Sequence, residues 1–136
     1  MILSKKCLYA IIALIELALN RDNPNGTTIK KISQKRMLPE KFLRQLFLAM
    51  KQAGLVESVR GAGGGYRLKK DPIQISMLDV IEGIGGCIKP REIHKDPTAT
   101  FILNTISKRM SEALNISLLQ LIEEYTALSG EINYNI

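Results

Sequence analysis

Residues 28–68 read TIKKISQKRMLPEKFLRQLFLAMKQAGLVESVRGAGGGYRL, and the order of breaks within them decides the fold. Thr28 stands as an N-cap before IKKISQKR, in which Ile29 and Ile32 lie three apart on one face while the lysines face water. Met37-Leu38-Pro39 interrupts the helix, because proline disfavours a helical conformation in the residue before it yet suits the first turn of the next helix. The spacing predicts that next helix over 39–52, ended by Gly54. Phe42, Leu43, Leu46, Phe47 and Met50 fall on its inner side, and Lys41, Arg44, Gln45, Leu48 and Lys51 on its outer side. Residues 55–59 and 66–70 alternate as strands do, with a glycine-rich tip between them. Two short helices across a tight connection, then a hairpin, make the pattern of a winged helix-turn-helix.

The tip, RGAGGG at 60–65, is not a dinucleotide fingerprint: G-x-G-x-x-G needs glycine at 66 and finds Tyr66, and no helix opens there. No Gly-Lys-Ser or Gly-Lys-Thr follows, so it is not a P-loop either. Glycines allow positive φ and bring backbone amides close to a phosphate, and Arg60 and Arg67 flank the stretch. The bland alternative is a hairpin tip without a ligand.

Working outward, residues 4–20 are apolar at nearly every position, with Ser4 as N-cap, and predict a central helix. Lys5 and Lys6 before LYAIIALIELAL resemble the start of a secretory leader, but Glu16 interrupts the run, no A-x-A-like site follows, and it is shorter than a membrane span. The expectation is a buried helix of a cytoplasmic protein without a membrane partner. After the hairpin, Ser76 with Asp79 predicts a capped helix over 77–84, and the Gly and Pro content of 83–97 predicts a loop. A long helix is expected from Pro97 to about Asn115, with Ile102, Ile106, Met110 and Leu114 on one stripe, then a short helix over 118–125 and an aperiodic tail over 126–136. The fold class is mainly α, with a two-stranded wing.

Hydrophobic residues are 46% of the 136 and charged residues 24%, a globular composition rather than a disordered one. The net charge of +6 is regional. Residues 30–70 hold eleven of the nineteen Lys and Arg but only two of the thirteen acids, Glu40 and Glu57, a local net of +9; the remainder holds eight basic and eleven acidic residues, a net of −3. A basic helix face alone is usually just solvated. Joined to the preceding helix, the hairpin and this regional charge, it points to double-stranded DNA. Arg44 and Gln45 suit bidentate contacts to guanine and adenine edges, and Lys41, Lys51, Lys5 and Lys6 suit phosphate. With a single histidine and no nucleophile-base signature, no catalytic residue is expected and the chain does not read as an enzyme.

MILSKKCLYAIIALIELAL, FLRQLF, GLVESVRGAGGGYRL and ISMLDVIEGI together resemble the bacterial winged-helix transcriptional regulators of the IscR/NsrR/CymR family, over residues 1–125. The resemblance implies a homodimeric regulator acting on a pseudo-palindromic operator, most simply as a repressor. It divides the chain into a DNA-binding domain (1–84), a sensor-type loop (85–96), dimerisation helices (97–125) carrying Ile102, Ile106, Met110 and Leu114, and a tail (126–136). Carried over by position, Thr28, Lys41, Phe42, Arg44 and Gln45 belong to the groove-reading unit, and Arg60, Gly61, Gly63, Gly64, Gly65 and Tyr66 to the wing. Where cluster-binding members have an acidic residue on the reading helix, this chain has Arg44, which implies a different operator. A small-molecule or protein effector is compatible with such a regulator.

Cluster-binding members carry three closely spaced cysteines before the long helix; this chain has Cys87 alone there, with His94 nearby and Cys7 far off in the first helix. An iron–sulfur cluster normally needs three or four thiolates, or histidine in place of some. The expectation is therefore a member of the non-cluster-binding type, with no metal and no cofactor. Four alternatives stand beside it: an unusual site shared between protomers, using Cys87, His94 and carboxylates such as Glu92 or Asp96; a thiol sensor at Cys87; a Cys87 that only packs; and, from another class, a winged helix that binds proteins without operator preference.

Overall fold

Ser4 starts the first helix: its Oγ accepts from the Cys7 N–H at 3.2 Å, and α1 runs Lys5–Leu19. The computed structural model describes residues 3–61, 64–85 and 95–133. Along α1 the small side chains of Ala10, Ala13 and Ala18 and the larger Leu14 and Leu17 are buried, so the helix is lined with apolar contacts on several sides. It packs against the helices at Glu40–Gln52, Met77–Ile84 and Leu118–Asn133 and against the second wing strand, Tyr66–Leu68.

Thr28 caps α2 (Ile29–Arg36) by accepting from the Lys31 N–H at 3.1 Å, and Ile32 is the residue that α2 buries. Met37 ends it in the left-handed region (φ +55°), where a non-glycine side chain is uncommon. The Leu38 N–H bonds back to the Ser33 carbonyl at 3.1 Å, while Ser33 Oγ donates to the Leu38 carbonyl at 2.6 Å. This double clasp holds the turn against its backbone strain. Pro39 serves as N-cap rather than as the first helical residue, so α3 spans Glu40–Gln52 and buries Leu43, Leu46, Phe47 and Met50.

The wing strands are shorter than expected, β1 over Val56–Ser58 and β2 over Tyr66–Leu68, antiparallel with Glu57 opposite Arg67. The capping box of Ser76 and Asp79 forms, and α4 covers Met77–Ile84, taking Gly83 and Ile84 out of the expected loop. Asp71 and Gln74 make a second capping box on a 3₁₀ turn at Pro72–Gln74 that the sequence reading did not anticipate.

The long helix α5 covers Pro97–Ala113, about 26 Å at 1.5 Å per residue. None of its residues is buried. The chain then returns to the core: the N–H groups of Met77 and Leu78 donate to Ile116 and Leu114 at 2.9 and 3.1 Å, and the Leu118 N–H donates to Ile75 at 2.7 Å. Ser117 Oγ accepts from the Gln120 N–H at 3.0 Å and opens α6, Leu118–Asn133. Here the expectation of a short helix and an aperiodic tail from 126 is corrected. Thr126 to Ser129 contain no breaker, and Gly130 costs a helix about 1 kcal/mol without stopping it. Residues 126–128 are exposed, so this stretch has no buried face to impose an apolar period.

Candidate nucleic-acid interface

Burial of one side of α3 leaves Lys41, Arg44, Gln45, Leu48 and Lys51 exposed on the other. Arg44 is not loose on this face. Its Nη2 lies 2.8 Å from Glu40 Oε1, one turn earlier. Lys51 reaches from the last turn of α3 to Ser58 Oγ at 3.0 Å, tying the helix to β1. On the wing, Arg67 Nε donates to Glu57 Oε1 at 2.7 Å across the strands. Arg60, at the tip, is exposed.

The glycine stretch does two separate things. At the tip, Gly61 has φ +130° with open space around it, and its carbonyl accepts from the Gly64 N–H at 3.0 Å, which turns the chain. At the root, Gly65 is buried, and a Cβ there would stand 2.5 Å from the backbone of Thr27. Thr27 and Tyr66 exchange backbone hydrogen bonds of 2.9 and 2.8 Å beside it, so the wing is stitched to the segment that precedes α2. The expectation that Gly65 approaches a phosphate is replaced by close backbone packing, since the residue has almost no surface to offer. Gly64 is exposed, whereas Gly63 lies outside the described residues.

Two aromatic candidates are also spent largely on packing. Phe42 is half-buried, edge-on to Tyr9 with ring centroids 5.6 Å apart, and Tyr66 leans on Phe47 at 4.7 Å. These contacts place the α1 N-terminus beside α3. Lys5 Nζ sits 5.5 Å from the Tyr9 ring centroid, and Lys6, next in the chain, is exposed. Thr28 is half-buried and engaged as the cap of α2.

The family model described as "Rrf2: Iron-dependent Transcriptional regulator" matches residues 3–126. The chain belongs to the Rrf2 family. Among Rrf2 relatives, the transcriptional regulator CymR of Bacillus subtilis is 35% identical over 126 residues, covering 91% of each chain. A rrf2-like regulator of Rhodobacter capsulatus is 39% identical over 90 residues, 65% of this chain and 60% of that one, so this match stops well short of that relative's full length. The solved structure of B. subtilis CymR, titled the global cysteine regulator, superposes with a TM-score of 0.77 at 34% identity, over 89% of this chain and 95% of the other. That of T. potens IscR does so with 0.74 at 30% identity, over 90% and 86%. This Rrf2 chain is thus a winged-helix, DNA-binding transcriptional regulator and not an enzyme. No helix among the described residues is long and apolar enough to cross a membrane.

The Rrf2 description names iron, and the donors that this chain could offer a metal are few. Of its two cysteines, Cys7 is 2% exposed inside the core, on the first turn of α1. Cys87, Glu92 and His94 lie outside the described residues. Asp96 is the N-cap of α5, accepting from the Thr98 N–H at 3.1 Å. One thiol beyond the core, with one histidine, gives a single chain two such donors, fewer than the three or four that an iron–sulfur cluster takes.

Proposed function

We propose that this Rrf2 chain acts as a homodimer that reads a pseudo-palindromic operator and represses transcription from it, without an iron–sulfur cluster. The observation that carries the reading is the outer face of α3, where a guanidinium and an amide, Arg44 and Gln45, are exposed between Lys41 and Lys51. The first two carry the donor and acceptor patterns that distinguish guanine and adenine edges in the major groove, and the lysines fit the phosphates on either side. Arg60 on the wing fits a third stretch of backbone.

The homodimer is supported by α5. Phe101, Ile102, Leu103 and Ile106 are 68%, 48%, 40% and 53% exposed in the single chain, whereas Met110 and Leu114 pack on the core. A second copy covering these residues removes an apolar strip from water and, by its twofold symmetry, sets two reading helices on half-sites about one DNA turn apart. Repression then requires only that the seated dimer occupy a promoter. The lack of a cluster is supported by the thiol count and by the burial of Cys7.

Selection of duplexes from a random pool, followed by sedimentation of the protein alone and with the selected DNA, tests the reading. The expected result is an inverted repeat bound by two chains, and a reporter placed behind that repeat is expected to be silenced. Recovery of no preferred sequence would overturn it in favour of a protein-binding winged helix. A brown, iron-loaded sample after anaerobic purification would overturn the cluster-free part.

A further inference from the structure

We propose that Glu40 is a specificity-determining positioning residue, whose carboxylate holds the Arg44 guanidinium for base reading and withholds it from phosphate. The proposal rests on the reading of α3 as the groove-reading helix and adds a residue to it.

The contact is 2.8 Å between Arg44 Nη2 and Glu40 Oε1, with the two side chains 67% and 41% exposed. A solvated i,i+4 pair of this kind contributes a few tenths of a kcal/mol to a helix, so stability does not account for its effect on this face. Geometry gives a better account. Glu40 is the first residue of α3, where the helix dipole favours an anion, and Pro39 supplies no side-chain cap to compete with it. The carboxylate is therefore held near the helix end, and Arg44 is drawn along the outer face toward it. A guanidinium has five donors in a planar fork. One Nη2 hydrogen on Glu40 leaves the other, with those on Nη1, for the two acceptors of a guanine edge.

Charge makes the same distinction. Residues 30–70 carry eleven cations and two acids, and each acid holds an arginine: Glu40 holds Arg44 and Glu57 holds Arg67. An arginine beside a carboxylate presents an almost neutral pair to a phosphate, so its long-range attraction to any duplex falls. Its short-range hydrogen bonds to a base edge survive, and they strengthen as docking expels water from the pair. Lys41 and Arg60, which have no ion-pair partner among the described residues, keep their full charge for the backbone. The pair thus attracts a wrong duplex less than a free arginine would, whereas at the right one the base contacts of the positioned arginine more than make up the difference.

The test uses the full chain and four forms: unaltered, Glu40→Gln, Arg44→Ala and the double variant. Each is titrated by fluorescence anisotropy at fixed salt against the selected operator and a scrambled duplex of equal length, with the melting temperature measured alongside. Glu40→Gln is expected to melt within a few degrees of the unaltered protein, to bind scrambled DNA about two- to fivefold more tightly, and to lose about tenfold in operator preference. The double variant is expected to show no less preference than Arg44→Ala alone. Unchanged preference in Glu40→Gln, or a loss that recurs in full when Arg44 is already absent, would overturn the proposal. If the unaltered protein itself does not separate operator from scrambled DNA, the groove-reading assignment fails as well. If it does, and Arg44→Ala abolishes the separation while Glu40→Gln leaves it intact, only the role of Glu40 fails.

Discussion

Glu16, on the buried face of α1, accepts a hydrogen bond from Arg36 Nε at 2.6 Å, fastening the last turn of α2 to the centre of the protein. Lys35 Nζ adds a second contact at 3.1 Å. The Glu16 side chain is 2% exposed, against 28% for Arg36 and 61% for Lys35, so the three members are unequal. Removing one partner from a fully buried pair costs about 3–5 kcal/mol, and the partial hydration of the two cations lowers that figure here. Glu16→Ala is expected to destabilise the fold by about 2–3 kcal/mol, Arg36→Ala by about 1–2, and Lys35→Ala by less than 1. Urea unfolding at a constant m-value checks the order, and equal losses for Arg36 and Lys35 would show that burial does not set it.

The wing root supplies a second prediction. Alanine at Gly65 brings a Cβ to 2.5 Å from the Thr27 backbone and must break the paired hydrogen bonds between Thr27 and Tyr66. Gly61→Ala meets no neighbour and suffers only the positive φ. We expect Gly65→Ala to cost about 2 kcal/mol or more and Gly61→Ala about 1. Affinity for DNA should drop further in the first, because the whole wing is displaced. Thermal melting together with binding titrations of the two variants distinguishes these effects.

What could be read beforehand follows from where each cause sits in the chain. Caps and apolar periods are local, so Ser4, Thr28 and the Ser76–Asp79 box marked their helices, and the exposed face of α3 followed from its buried one. The pair of Glu40 and Arg44 was legible in principle from its i,i+4 spacing. Glu16 was not: it stood as an interruption in an apolar run, and its partners lie nineteen and twenty residues away on a helix whose cations read as merely solvated. The glycine run announced a wing, yet which glycine is packed depends on Thr27, far off in sequence. The stretch of α6 over 126–128 escaped because it is exposed and has no buried face to impose a period.

The exposed strip on α5 leads to a third prediction. Ile106→Glu places a charge where a second copy is proposed to pack, and burying a carboxylate without a partner is far more costly than leaving it in water. No residue of α5 is buried within one chain, so the fold itself should survive. Sedimentation velocity at micromolar concentration is expected to show a monomer with an unchanged circular dichroism spectrum. Its operator affinity should fall at least about tenfold, since one half-site alone remains. A dimer that persists would move the interface elsewhere.

The last prediction separates the wing from the reading helix by salt. Arg60 is exposed beside a tip of glycines and one alanine, which offer a base no side-chain hydrogen bond, so its proposed contribution is charge on phosphate. Reversing it in Arg60→Glu should weaken operator and scrambled duplex by the same factor, about tenfold at moderate ionic strength, and reduce the slope of log K against log salt by about one to two. Arg44→Ala removes the proposed base contact, so the operator should lose about ten- to a hundredfold while scrambled DNA loses much less. Here the slope should change little, because Glu40 already offsets the charge of Arg44 in the free protein. The discriminating quantity is the operator-to-scrambled ratio measured across a salt series for both variants. Were Arg60→Glu to change that ratio and Arg44→Ala to leave it intact, the roles of wing and helix would have to be exchanged.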